Sequence, residues 1–282
     1  MTVLLEKDIR AAIAEAARRV RAETPMAPSI TNTVTISFVA NAQLAAGGSA
    51  AMVYLPDEGV AMTRAAGAFY INAGTFFPFY AEALPATARE LHALGKPWVL
   101  DPVGIGIGNM RTDVLASFRK TPPTIVRCNA SEIIALAGLW GLNTGSLVAS
   151  RVKGVDSFDS IEDALPAAIS IARYSRGTVA VSGATDLVTD GKTTVRCPGG
   201  SKHLSLVTGG GCSLGGVMAV YACVATPFVA ALAATSLYNL ASVRAAATTD
   251  GPGTFAARFL DELYKALPDE IAAQPFNVEE CQ

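Results

Sequence analysis

Charged residues are scarce in this 282-residue chain, at 16% against a usual share of roughly 25%. Apolar residues reach 51%, so the chain can bury a large core and has apolar surface to hide against copies of itself. A basic excess is also missing. The formal charge of −2 provides no field to attract nucleic acid, which excludes that class of partner. The five cysteines, Cys128, Cys197, Cys212, Cys223 and Cys281, are odd in number and show no C-x-x-C spacing. They read as reduced thiols of a cytoplasmic protein rather than as a disulfide framework. Only His92 and His203 carry imidazoles, and neither has a second His or Cys at ligand spacing, which argues against structural zinc. No Gly-x-x-x-x-Gly-Lys-Ser/Thr is present, so the chain is not a P-loop enzyme.

A secretory signal is excluded by Glu6, Lys7, Asp8 and Arg10, while Ile9, Ile13, Ala16 and Val20 recur at helical spacing. The stretch from Leu204 to Val243 has no acidic or basic residue. Gly209 to Gly211, Gly215, Gly216 and Pro227 break it, and unpaired backbone is not tolerated in lipid. Two buried helices, about Cys212–Ala225 and Pro227–Ala247, are therefore expected in place of a membrane span.

What is present is an alternation of short apolar runs with helical segments. Strands are predicted at 68–72, 98–101, 124–128 and 178–182, and helices at 85–94, 131–137 and 164–174. Leu187-Val188-Thr189 and Thr193-Thr194-Val195 flank Asp190-Gly191, a hairpin signal. Nearly continuous apolar strands between helices imply an α/β fold, a mostly parallel central sheet with helices on both faces. The hairpin is expected as an antiparallel addition at one edge. No linker or repeat divides the chain, so a single domain over 1–282 is expected.

In such sheets chemistry gathers at the carboxyl ends of the strands. Asn72 and Gly74, Asp101, Arg127 and Asn129, and Ser182 and Gly183 fall at those ends. Val207-Thr208-Gly209-Gly210-Gly211-Cys212 follows at the next one. Three glycines let backbone approach a ligand and aim N–H groups at an anion, and a helix opening at Cys212 would add its dipole. That position would also favour a thiolate. Asp101, Asn129 and Glu132 offer oxygen ligands suited to magnesium, and Arg127 a permanent positive charge for phosphate. Carboxylates, cation and N–H cradle together describe phosphoryl transfer. Each residue also has a plainer role available. Asp101 can terminate a strand or cap a helix, Glu132 can close a capping box, Arg127 can make an ion pair, and Cys212 can be a small buried residue. Gly104-Ile105-Gly106-Ile107-Gly108 lacks the sixth-position glycine of a dinucleotide fingerprint and reads as a mobile loop beside Asp101.

At these residues the chain resembles hydroxyethylthiazole kinases of the ribokinase-like superfamily. The shared motifs include Thr31-Asn32, Phe38-Val39-Ala40-Asn41, Ala51-Met52, Ile71-Asn72-Ala73-Gly74-Thr75 and Leu100-Asp101-Pro102-Val103-Gly104. Asn129-Ala130-Ser131-Glu132-Ile133, Gly154-Val155-Asp156-Ser157, Val188-Thr189-Asp190-Gly191 and Gly251-Pro252-Gly253-Thr254-Phe255 follow in order, so the match covers about residues 28 to 265. The resemblance implies a ribokinase-like fold and ATP-dependent phosphorylation of 4-methyl-5-(2-hydroxyethyl)thiazole for thiamine salvage, with Mg2+. It implies a homotrimer with active sites between subunits. It places the thiazole near Asn32, Met52 and Gly209, nucleotide contacts on Arg127 and Ser182, and the catalytic cysteine on Cys212; the residue chemistry adds phosphate on the N–H groups of Gly210 and Gly211 and magnesium held through Asp101 and Glu132.

Three departures fall on the nucleotide side. The family usually has Gly-Thr-Gly-Cys where Gly209-Gly210-Gly211-Cys212 stands, Arg-Gly-Asn where Cys128 separates Arg127 from Asn129, and Thr-Gly-Glu at Ser182-Gly183-Ala184. They leave two alternatives open: a ribokinase-like kinase for another small heterocyclic alcohol, and a catalytically weak nucleotide-binding homologue.

Overall fold

The computed structural model describes residues 5–144 and 159–281. The Gly154–Ser157 motif lies outside them. The chain opens with α1 (Glu6–Glu23), whose Ile9, Ile13, Ala16 and Val20 bury one stripe as their spacing predicts. Then come β1 (Met26–Ile30), α2 (Ile36–Ala45), β2 (Ser49–Met52), α3 (Pro56–Ala65), β3 (Phe69–Asn72), α4 (Tyr80–Ala93) and β4 (Trp98–Asp101). The middle of the chain forms α5 (Asn109–Ser117), β5 (Ile125–Asn129), α6 (Ala130–Leu139), α7 (Ile161–Ser175) and β6 (Thr178–Ser182). It ends with β7 (Thr185–Thr189), β8 (Thr193–Pro198), α8 (Gly210–Ala222), α9 (Pro227–Ala246), α10 (Pro252–Lys265), α11 (Pro268–Ala272) and β9 (Asn277–Glu280).

One nine-stranded sheet runs in the order β2-β1-β3-β4-β5-β6-β7-β8-β9. The strands from β2 to β6 pair in parallel, and β7, β8 and β9 add antiparallel. The α/β expectation holds, with one correction. The hairpin β7–β8 is not the edge, because β9 pairs Thr193–Arg196 from outside. Its sequence, Asn277-Val278-Glu279-Glu280, is polar enough to leave exposed, as suits an edge strand.

Alternation along the strands sorts the sheet into two faces. Tyr70, Val99, Ile125, Ala180 and Val188 face a core built with α1, α8 and α9. Phe69, Ile71, Trp98, Leu100, Val126 and Val181 face the second core, with α4, α6 and α7. Helix α9 is long and apolar enough to cross a bilayer, yet 83% of its most apolar window is buried inside the fold. It is a core helix whose small residues let α8 and α10 pack closely, as expected from its composition.

Candidate active site

The same alternation that hides Phe69, Ile71 and Leu100 sends Tyr70, Asn72, Asp101, Arg127 and Ser182 to the α8 face. Each lies at or near the carboxyl end of its strand. There they form one unbroken polar line. Asn32 Nδ2 donates to Asn72 Oδ1 at 2.9 Å, and Asn72 Nδ2 donates to the Tyr70 phenol oxygen at 2.9 Å. The Tyr70 hydroxyl stands 3.1 Å from Asp101 Oδ2 and 2.7 Å from the Cys212 carbonyl oxygen. Arg127 reaches Asp101 Oδ2 through Nη1 at 3.1 Å and Ser182 Oγ through Nη2 at 3.1 Å. The line crosses from the alcohol side of the expected site to its nucleotide side.

Electrostatics here are dominated by burial. Asp101 is fully buried, its Oδ1 has no partner, and desolvation raises its carboxyl even with Arg127 beside it. Arg127 stays charged, since a guanidinium is not deprotonated in proteins and Asp101 holds its proton more tightly still. Glu132 closes a capping box at the start of α6: Asn129 Oδ1 accepts the Glu132 N–H at 2.9 Å and Glu132 Oε2 accepts the Asn129 N–H at 2.8 Å. The plainer role is therefore real. Burial and the charge of Asp101 nevertheless push Glu132 up to about 7, which marks a carboxylate short of positive charge.

Two details of the glycine loop differ from expectation. Helix α8 opens at Gly210, so Cys212 is its third residue. The Gly210 N–H bonds the Val207 carbonyl at 2.9 Å, which leaves Gly211 and Cys212 as the first-turn donors without an intrahelical partner. Each glycine has its own cause. Gly209 has φ +96°, a Cβ on Gly210 would overlap the Leu204 carbonyl oxygen, and a Cβ on Gly211 would lie 2.6 Å from Arg127 Nη2. The close approach at Gly211 is thus to the Arg127 guanidinium.

Cys212 is the larger correction. Its Sγ lies 3.5 Å from Asn32 Nδ2, which joins it to the Asn32 end of the line. Burial, then the charge of Asp101, pushes the thiol up to about 11. The expected thiolate at a helix start is not met, because desolvation and the nearby Asp101 carboxylate outweigh Arg127 and the hydrogen bonds from Asn72 and Asn32. Gly209 packs against Thr35 and Phe38, and the Thr35 N–H bonds Asn32 Oδ1 at 3.1 Å, so Gly209, Asn32 and Cys212 meet. Met52 is half-buried at the end of the edge strand β2, in register with Ser29, and packs on the core.

A cavity of about 560 Å³ opens beside this line, lined by Arg127, Ser182, Ala184, Gly210, Gly211 and Asp186 among others. Asp186 was missed because the hairpin signal started its strand at Leu187. Its Oδ1 accepts the Gly183 N–H at 3.0 Å, and burial raises its carboxyl to about 6. Tyr70 was missed too: an apolar run hides its hydroxyl, and only strand parity with Asn72 could have flagged it. Among the described residues no three His, Cys, Asp or Glu side chains cluster as a metal cage. The donor set fits magnesium, which keeps several waters and uses one or two carboxylates with substrate phosphates, and the unpartnered Asp101 Oδ1 is the atom available to it.

The departures from the family pattern sort by position. Cys128 alternates to the opposite core, fully buried with its thiol 3.8 Å from the Ala180 carbonyl, so it leaves Arg127 and Asn129 in place. Gly210 is matched to the Lys202–Leu206 turn that packs on it. Ala184 lines the cavity, as Gly210 does, but no neighbouring carbonyl fills the space of its side chain.

The model of the Hydroxyethylthiazole kinase family matches residues 17–269. The hydroxyethylthiazole kinase of Bifidobacterium adolescentis is 54% identical over 274 residues, covering 94% of this chain and 93% of that protein. The one from Bifidobacterium longum subsp. infantis is 50% identical over 291 residues, covering 97% and 93%. The solved hydroxyethylthiazole kinase of Pyrococcus horikoshii OT3 superposes with a TM-score of 0.83 at 32% identity, covering 96% of this chain and 99% of that one.

Proposed function

The chain belongs to the hydroxyethylthiazole kinase family, and from that we propose that it phosphorylates the primary alcohol of 4-methyl-5-(2-hydroxyethyl)thiazole with ATP, as one ribokinase-like domain serving thiamine salvage in the cytoplasm. The observation that carries the reading is the buried Arg127–Asp101 pair set under the first turn of α8, at the rim of the 560 Å³ cavity. A polyanion entering there meets a guanidinium, the free N–H groups of Gly211 and Cys212 and the Ser182 hydroxyl. The alcohol enters on the other side, at Asn32, Gly209 and Cys212, with Met52 at its flank. The new bond joins the alcohol oxygen to the γ-phosphorus, the bond from that phosphorus to the bridging oxygen breaks, and the alcohol proton leaves to solvent. Magnesium, held by Asp101 and Glu132 directly or through water, would supply charge neutralisation between phosphates.

Catalysis of this kind is mostly positioning and charge stabilisation. Arg127 and the α8 first turn hold the phosphates, and Asn32 and Cys212 orient the alcohol. Cys212, protonated at neutral pH in the free protein, acts chiefly as a hydrogen-bonding partner and only weakly as a base.

The same reading includes a trimer with sites between subunits. Support comes from apolar side chains left bare around the edge strand β2: Val34 at 74%, Leu44 at 54% and Leu55 at 48% exposure, next to the half-buried Met52. A second copy seated there would cover them and complete the thiazole pocket. Purified protein given the thiazole alcohol, ATP and magnesium should yield the phosphate ester and ADP, with a trimer mass by light scattering. A panel of thiazole and pyrimidine alcohols separates this substrate from another heterocyclic one. No product from any of them, with ATP still bound, would leave only a nucleotide-binding homologue.

A further inference from the structure

The polar line across the site has a direction. Asn32 donates to Asn72, Asn72 donates to Tyr70, and Tyr70 has Asp101 as one acceptor, so three successive donors point from the alcohol side toward one carboxylate. Hydrogen bonds aligned in this way polarise one another, by an estimated 10–30% per bond. Tyr70 has one proton to give and a choice of acceptor. Its single proton faces two acceptors, Asp101 Oδ2 at 3.1 Å and the Cys212 carbonyl at 2.7 Å. The ring is fully buried, and a Cβ on Gly215 would overlap it, so it cannot swing away from either.

We propose that Tyr70 is a positioning residue that couples the nucleotide half of the site to the alcohol half. This rests on the kinase reading given above. Phosphate binding draws on the Arg127 guanidinium, which is the cation facing Asp101 Oδ2. With that partner shared, Asp101 Oδ2 becomes the stronger acceptor and the Tyr70 hydroxyl turns its hydrogen bond toward it. The phenol oxygen then becomes a better acceptor for Asn72, and the Asn72 carbonyl a better acceptor for Asn32. Asn32 is thereby fixed in the orientation that also reaches Cys212 Sγ, ready for the alcohol. Each substrate should therefore tighten the other.

The test is calorimetric binding of a non-hydrolysable ATP analogue with magnesium, measured with and without saturating thiazole alcohol, and then in the reverse order. In the wild type the affinity of each ligand should rise roughly five-fold or more when the other is present, by the same factor in both directions. Tyr70→Phe removes only the hydroxyl and should bring that factor to below about two-fold, whatever it does to either affinity alone. A purely structural role would lower thermal stability or weaken both affinities while keeping their ratio. Asn72→Leu breaks the line one bond away and should uncouple the halves equally, which keeps the test available if Tyr70→Phe does not fold. A wild type that binds both ligands without mutual effect overturns the coupling, as does full coupling in a folded variant. A wild type that does not bind the thiazole alcohol refutes the substrate assignment instead.

Discussion

Replacing Arg127 by Met removes the cation paired with a fully buried carboxylate, and the cost can be worked from the structure. Breaking a buried ion pair from one side typically costs about 3–5 kcal/mol, because the surviving charge is left unpaired. Asp101 has an escape, which is to take up a proton. For a carboxyl whose ordinary pKa is 3.8, protonation at pH 7 costs at most about 4 kcal/mol, and at pH 5 at most about 2 kcal/mol. The sign follows. In the variant the folded-state pKa of Asp101 rises further above the unfolded value, so its native state is favoured at low pH and loses stability as pH climbs through neutrality. Urea unfolding at pH 5 and pH 8, with metal chelated, should show a penalty that grows with pH. Arg127→Met combined with Asp101→Asn removes both charges and should recover most of the loss, since buried pairs are often replaceable by neutral groups. A penalty equal at both pH values, or a double variant no more stable than Arg127→Met, would refute the assignment of Asp101 as a buried charge neutralised by Arg127.

Gly211→Ala places a Cβ 2.6 Å from Arg127 Nη2; the guanidinium must shift, and the KM for ATP should rise roughly ten-fold, equivalent to about 1.4 kcal/mol, in steady-state kinetics. An unchanged KM would show that the loop does not set the Arg127 position. Cys212→Ala should slow turnover by less than about 10²-fold, the lower limit of ordinary general-base contributions, because its thiol sits near 11 and is protonated at neutral pH. A larger drop at matched folding would restore Cys212 as the base. Asp186, raised from 3.8 to about 6, contributes stability in its protonated form that is lost as pH climbs through that window. Against Asp186→Asn, wild-type stability should fall by up to about 3 kcal/mol from pH 4 to pH 7, measured by thermal melting, and a flat difference would place that carboxylate in solvent.

Most of the architecture was legible in the sequence because the central parallel strands are continuous apolar runs. Trp98–Asp101 and Thr178–Ser182 match β4 and β6 at both ends. The strands that escaped notice are those whose composition contradicts their state. β1 contains Pro28, tolerated because its pairing with β3 begins only at Ser29. β2, Ser49-Ala50-Ala51-Met52, carries no β-branched residue, and β9 is polar because it lies at the edge. Site residues at strand ends were legible for the opposite reason, since an Asp or Arg closing an apolar run has no packing role. Tyr70 and Asp186 were not, the first being absorbed into an apolar run and the second standing where a turn was expected. The Cys212 thiol was misjudged because a sequence shows that a helix begins but not how deeply its first turn is buried.

Strand parity also decides how much each departure from the family pattern weighs. A residue exchanged within a motif on a loop can disturb both of its neighbours. The same residue on a strand points away from both of its neighbours, and Cys128 between Arg127 and Asn129 does so, joining a core that the site never touches. The change at Gly210 is absorbed by the turn at Lys202–Leu206, whose Leu204 carbonyl occupies the space a side chain would need. Ala184 lines the cavity together with Arg127 and Ser182, and it sits in the tight connection between β6 and β7 with Asp186 two residues beyond. Position 184, where the family usually has a carboxylate, and the half-buried carboxylate of Asp186 line one cavity, so Asp186 is the acid this chain keeps there where a chain with Glu at 184 would have two.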